Sequence, residues 1–247
     1  MSEIVRIRVP VPYPVGSVNS YYVADSVPAL IDTGVHTAEA LDAVASAVHS
    51  HGATLAEIKR IIVTHGHGDH FGATLRLARD LGSTVFCIHE ISVYLQGQGA
   101  ASVVGMNKGG TATGPAGVRA TMVDARHSGG IDVDGAILPG GEPAGWVLAF
   151  PGGPTLYHAG DTMLFGDMGL IGELWAPDVA LLPIGGHYTM DPLQAARAAR
   201  LLAVKAVVPI HFGTFPILTG TPTQLATALA GSGIEVAALQ PGEPFTG

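Results

Sequence analysis

Residues 63–72 read Val63-Thr64-His65-Gly66-His67-Gly68-Asp69-His70-Phe71-Gly72. Six positions, His65 to His70, hold three histidines and an aspartate in the order H-x-H-x-D-H. The run before them, Ile61-Ile62-Val63, is apolar and β-branched and reads as a buried strand. Beyond Phe71, Ala73, Leu77 and Leu81 recur at helical spacing up to Gly82, which predicts a helix over 71–81. The motif is thus expected in an exposed turn between strand and helix, with Gly66, Gly68 and Gly72 permitting tight backbone turns. A core does not call for four such polar groups in succession, because burying them unpaired is costly. Imidazole and carboxylate together suit zinc, and also iron or manganese.

Outward from the motif, strands are expected at 3–9, 18–24, 28–32, 59–64, 84–89, 118–126, 146–150, 155–158, 178–182, 205–210 and 234–239. Helices are expected at 37–50, near 90–96, from Asp191-Pro192 to about Leu202, and near 222–230. Residues 97–117, rich in Gly, Ala and Ser, read as a long loop near the active face. Asp32 ends the third strand, where it could be a surface turn residue or could orient a ligand histidine. His65, His127, Asp161, His187 and His211 each follow an apolar strand. Side chains at strand ends on one edge of a sheet can converge on a shared site.

Composition bounds the reading. The 247 residues are 47% hydrophobic and 13% charged, which describes a chain able to bury a core rather than a disordered one. No linker, charge block or repeat divides it, so one domain over 1–247 is expected. A formal charge of −8 and the lack of any basic cluster argue against nucleic acid as a partner. The single cysteine, Cys87, lies in an apolar run and reads as a buried, inert thiol. No apolar run approaches membrane-spanning length, and Met1–Pro10 lacks the apolar core of a signal peptide. A cytoplasmic location and no membrane partner are the expectations; a homo-oligomer is compatible with the sequence.

Further segments carry a resemblance: GMNKGG at 105–110, the pair His127-Ser128, LYHAGDT at 156–162, LFGDMGLIGELWAPDVALLPIGGHYTM at 164–190 and VVPIHFGTFP at 207–216. With the H-x-H-x-D-H run they resemble the metallo-β-lactamase superfamily. Over residues 61–243 the chain is similar to bacterial and archaeal metal-dependent hydrolases related to ribonuclease Z and the L-ascorbate-6-phosphate lactonases. Residues 1–60, with a whole helix between LIDTG and the metal motif, look more like the glyoxalase II and lactonase branch. The chain therefore reads as a hybrid of two branches.

The resemblance implies an α/β fold, a four-layer αββα sandwich with two mixed sheets face to face and helices outside. It implies two divalent metal ions, zinc first, with manganese or iron as alternatives. His65, His67 and His127 would hold one; Asp69, His70 and His211 the other; Asp161 would bridge them, with a hydroxide between. Asp69 and His187 are the catalytic candidates, His187 as a substrate contact or proton donor. His158, Tyr188, Asn107 and Lys108 are weaker pocket candidates. The implied activity is hydrolysis of a small-molecule ester, lactone or related bond. The alternatives are a phosphodiesterase or nuclease of the ribonuclease Z type, an iron-dependent oxidoreductase on the same fold, and a scaffold with a degenerate site.

Overall fold

The computed structural model describes residues 3–12 and 16–246. The chain opens with β1 (Glu3–Pro10), β2 (Ser17–Ala24) and β3 (Ala29–Ile31), passes through α1 (Ala38–Ser50), and returns as β4 (Arg60–Ile62) parallel to β3. Thr37 caps α1, its Oγ1 accepting from Ala40 N at 3.1 Å, a contact that contributes about 1 kcal/mol. Ala40, Leu41, Val44 and Val48 make the buried face. The metal-type motif runs into α2 (Gly68–Phe71) and, after a break at Gly72 and Ala73, α3 (Thr74–Leu81). Then come β5 (Thr84–Ile88), α4 (His89–Gly97) and β6 (Val103–Met106), both strands added in parallel.

The second half builds another sheet. β7 (Thr111–Thr113) and β8 (Arg119–Asp124) precede a separate hairpin of β9 (Ile131–Val133) and β10 (Ala136–Leu138). β11 (Ala144–Ala149) and β12 (Thr155–His158) continue the sheet antiparallel. α5 (Met168–Trp175), β13 (Val179–Pro183), α6 (Pro192–Leu202), β14 (Ala206–Ile210), α7 (Pro222–Ala228) and β15 (Glu235–Val236) add parallel strands with helical crossovers. β16 (Pro244–Thr246) then pairs with β1.

Among the described residues the result is two seven-stranded mixed sheets, ordered β16-β1-β2-β3-β4-β5-β6 and β15-β14-β13-β12-β11-β8-β7. One apolar cluster joins the inner faces of both sheets and carries α1, α3 and α4 on the outside of the first. A second cluster packs α5, α6 and α7 on the outside of the second sheet. This is the four-layer αββα arrangement. Two hydrogen bonds between the sheets fix the chain just before the motif: Trp146 Nε1 donates to Val63 O at 3.0 Å, and Ala144 N donates to Thr64 O at 2.9 Å. Trp146 is fully buried, so its indole N–H has a partner where it needs one.

The structure differs from the sequence reading in several places. Residues 97–117 are not one loop; they contain β6 and β7, the strands at one edge of each sheet. The helix expected over 71–81 begins at Gly68, so Asp69 and His70 lie in its first turn. α5 was not foreseen because Gly169 and Gly172 lower its propensity and exposed Leu170 and Leu174 blur its apolar face. The hairpin β9–β10 had a signal: Asp134 and Gly135 at its tip both take positive φ, 52° and 81°, as a two-residue hairpin turn requires. Cys87 is buried as expected, and burial pushes its thiol up to about 12.

Candidate metal centre

The seven expected ligands meet at one end of the sandwich. The loop after β4 supplies His65 and His67, the first turn of α2 supplies Asp69 and His70, and the segments after β8, β12 and β14 supply His127, Asp161 and His211. Donor atoms of His65, His67 and His127 all lie within 4.8 Å of one another, and so do those of His65, His70 and Asp161. Asp161 Oδ2 is the common point: it lies 3.8 Å from His127 Nε2, 3.7 Å from His70 Nε2 and 3.0 Å from His211 Nε2. Asp69 Oδ2 completes the set at 3.7 Å from His70 Nε2.

A second ring of bonds aims these side chains. Asp32 Oδ2 lies 2.7 Å from His70 Nδ1 and accepts from Thr64 Oγ1 at 2.8 Å, while Oδ1 accepts from Thr64 N at 2.9 Å. With its hydroxyl hydrogen committed to Asp32, Thr64 Oγ1 accepts from His65 Nδ1 at 3.0 Å. One carboxylate thus orients two histidines, and both turn Nε2 toward Asp161. Ser128 Oγ lies 3.1 Å from His67 Nε2, leaving Nδ1 as the inward donor, 3.0 Å from His65 Nε2. The orienting role expected of Asp32 is what the geometry shows. Thr64 carries no sequence signal for this role, being a common residue at the end of an ordinary strand pattern.

The donor set fits a metal ion. The inward nitrogens of His65 and His67 lie 3.0 Å apart, close enough for one cation to be held by both. Burial holds His65 well below the usual histidine range and also lowers His67 and His127, so these rings are neutral, as metal ligation needs. Burial acts against the charged form of His70 too, but Asp69, Asp161 and Asp32 outweigh it and hold this ring up to about 10. Burial also disfavours ionised Asp161, yet His211, His70 and His65 keep its carboxyl well below the usual range. In the metal-free site, ionised Asp161 and a protonated His70 therefore sit beside the three neutral rings of His65, His67 and His127.

Backbone strain marks the same end of the molecule. Asp32, His187 and His211 take left-handed φ values of 56°, 56° and 50°, uncommon for residues with a side chain and concentrated at functional sites. The glycines act differently from the expectation: none of Gly66, Gly68 and Gly72 takes a positive φ. Gly66 and Gly72 are required by close approach instead. A Cβ at Gly66 would lie 3.0 Å from Gly129 O, and one at Gly72 3.0 Å from Gly34 O. Gly68 faces open space.

Other candidates fall outside the cluster. His187 is exposed at the end of β13, its ring against Tyr188 with centroids 4.4 Å apart. No hydrogen bond or ion pair joins it to the cluster among the described residues. Lys108 is committed to Asp124 and to Glu142, the latter at 2.9 Å, and so is not a pocket cation. His158 is buried between the sheets beside the cluster.

Comparison with known proteins agrees with this geometry. Residues 29–212 match the beta-lactamase superfamily domain. The chain belongs to that superfamily. It is 52% identical over 187 residues to a UPF0173 metal-dependent hydrolase of Chloroflexus aurantiacus, covering 74% of this chain and 76% of that one. A metal-dependent hydrolase of Koribacter versatilis is 47% identical over 193 residues, 77% of this chain and 82% of that one. Among solved structures, Igni18, a metallo hydrolase of Ignicoccus hospitalis, superposes with a TM-score of 0.79 at 32% identity, covering 99% of this chain and 98% of its own. Within the superfamily the chain therefore groups with the metal-dependent hydrolases. The first sixty residues fall within the match to Igni18, so the apparent hybrid has a full-length counterpart.

Proposed function

We propose that this superfamily member is a dinuclear hydrolase acting on an ester, lactone or related bond of a small molecule. The observation that supports this most directly is the position of Asp161 Oδ2 between the His65–His127 side and the His70–His211 side of the cluster. His65, His67 and His127 would hold one divalent cation and Asp69, His70 and His211 the other, with Asp161 shared. When bound, such cations supply Lewis acidity and lower the pKa of water enough to give a nucleophile near neutral pH. Asp32, through His70 and Thr64, keeps the donor nitrogens aimed. Asp69, partly exposed at the rim, would face the substrate side as well as a cation. His187, exposed on a strained backbone, would hand a proton to the leaving group.

Zinc suits this nitrogen-rich donor set best. A small substrate is favoured over nucleic acid because the chain carries −8 and clusters no basic residues to neutralise phosphates. Among the described residues no helix is long and apolar enough to cross a membrane.

The test is a panel of esters, lactones, amides and phosphodiesters on metal-quantified protein, with and without chelator. Two metals per chain and chelator-sensitive ester or lactone hydrolysis are expected. Abundant iron with oxygen uptake, or metal-loaded protein inactive on the whole panel, would overturn the reading.

A further inference from the structure

Two buried polar side chains on facing strands end without a partner. Tyr21, on β2 of the first sheet, is 3% exposed, and His158, at the end of β12 of the second, is 2% exposed. Their rings meet edge-on with centroids 5.5 Å apart. Neither Tyr21 Oη nor His158 Nε2 has a hydrogen-bond partner among the described residues. Both residues line a cavity of about 30 Å³ that runs alongside His70, Asp161 and His211 and reaches outward to Ile210, Thr214 and Phe215. That volume has room for about two water-sized groups.

The polarity of the inner end is defined. Gly160 N donates to His158 Nδ1 at 3.1 Å, so the ring carries its proton on Nε2, a fixed donor. Burial holds the ring's pKa down to about 4 and raises the Tyr21 phenol, so both groups stay neutral. Arg6 acts on the Tyr21 phenol through its charge, but its guanidinium is occupied: Nε donates to Asn19 Oδ1 at 2.9 Å and Nη1 to Leu239 O at 3.0 Å. The other charged or titratable groups beside the cavity are the carboxylates Asp32, Asp69 and Asp161 and the rings of His70 and His211. An unpaired hydroxyl and an unpaired N–H in an apolar setting destabilise a fold. The cavity thus sets two unpartnered polar groups beside the clustered histidines and carboxylates, with room for a small substituent.

We propose that Tyr21 and His158 form a substrate subsite that receives an uncharged oxygen substituent, a hydroxyl or keto group, carried one or two carbons from the bond to be hydrolysed. His158 Nε2–H and the Tyr21 hydroxyl both donate to that oxygen. The subsite rests on the hydrolase reading and narrows its substrates to short oxygen-substituted acyl groups.

The experiment compares 3-hydroxybutyrate with butyrate, binding to zinc-loaded protein by calorimetry and by shift of the thermal midpoint, in wild type and in Tyr21→Phe. Wild type is expected to prefer the hydroxy acid by about tenfold or more, and Tyr21→Phe to lose that preference. Unliganded Tyr21→Phe should melt no lower than wild type, because no protein bond is removed. Equal affinity for the two acids, binding of neither, or a marked loss of stability in unliganded Tyr21→Phe overturns the subsite. Failure of the hydrolase panel would overturn the reaction instead and leave this binding comparison readable.

Discussion

Asp32 Oδ2 lies 2.7 Å from His70 Nδ1, on the side of the imidazole opposite the nitrogen that faces Asp161. The same oxygen holds Thr64, and Thr64 holds His65. Asp32→Asn should therefore weaken metal binding by about 10–100-fold, the usual effect of losing a partner that orients a ligand. Asparagine tolerates the left-handed backbone at this position, so the substitution tests the carboxylate rather than the turn. Competition against a chelator measures it; unchanged affinity would remove the orienting role.

Asp161→Ala should lower metal content and abolish hydrolysis while leaving a cooperative melt. The carboxylate is 4% exposed and shared by both halves of the cluster. Metal analysis beside a circular-dichroism melt separates this from global unfolding. A fully active variant would remove Asp161 from the site.

Two glycines of the motif should behave oppositely. Gly66→Ala pushes a methyl to 2.8 Å from Ile131 Cγ1 and 3.0 Å from Gly129 O, and overpacking of this kind costs about 1–3 kcal/mol. Gly68→Ala meets nothing within 4 Å and starts a helical turn, so its melt should match wild type or rise slightly. Denaturant titrations of the pair check the contrast.

His187→Asn should lower kcat by about 10²–10⁴-fold with metal content unchanged, if the ring transfers a proton to the leaving group. Asparagine again suits the φ of 56°. Rates together with metal counts decide it.

The acid response of the metal-free protein should carry a contribution from His158. Burial depresses its pKa from 6.5 to about 4, so between those values the unfolded chain binds the extra proton. Stability then falls as pH drops through that window, by about 3 kcal/mol in total, and is unaffected above it. His65, His67 and His127 slope the same way, whereas His70 and His211, whose folded pKa values are raised, slope the opposite way. The comparison is therefore wild type against His158→Asn, which keeps an acceptor for Gly160 N–H. Urea titrations at pH 7 and pH 4.5 should show the variant losing less.

What could be read without coordinates was whatever a local pattern encodes. The cap at Asp191, the helix-spaced apolar face of α1, and the histidines after apolar strands all depend on near neighbours in the chain. The misses depend on distant partners. β7 is three residues of Thr and Ala whose strand state comes from pairing with β8. Tyr21 looked like any aromatic in a strand; only the closing of the second sheet over it set His158 beside its hydroxyl. The role of Gly66 likewise depends on the chain at Gly129 and Gly130, more than sixty residues later.

Four of the clustered donors ride on one leaf of the sandwich and three on the other. An ion gripped by both leaves would work as a rivet through the open edge of a book. Chelation should then speed amide exchange at the ends of β4, β12 and β14 together, while the opposite edge, stitched by Phe86, Leu148 and Phe150, keeps its protection.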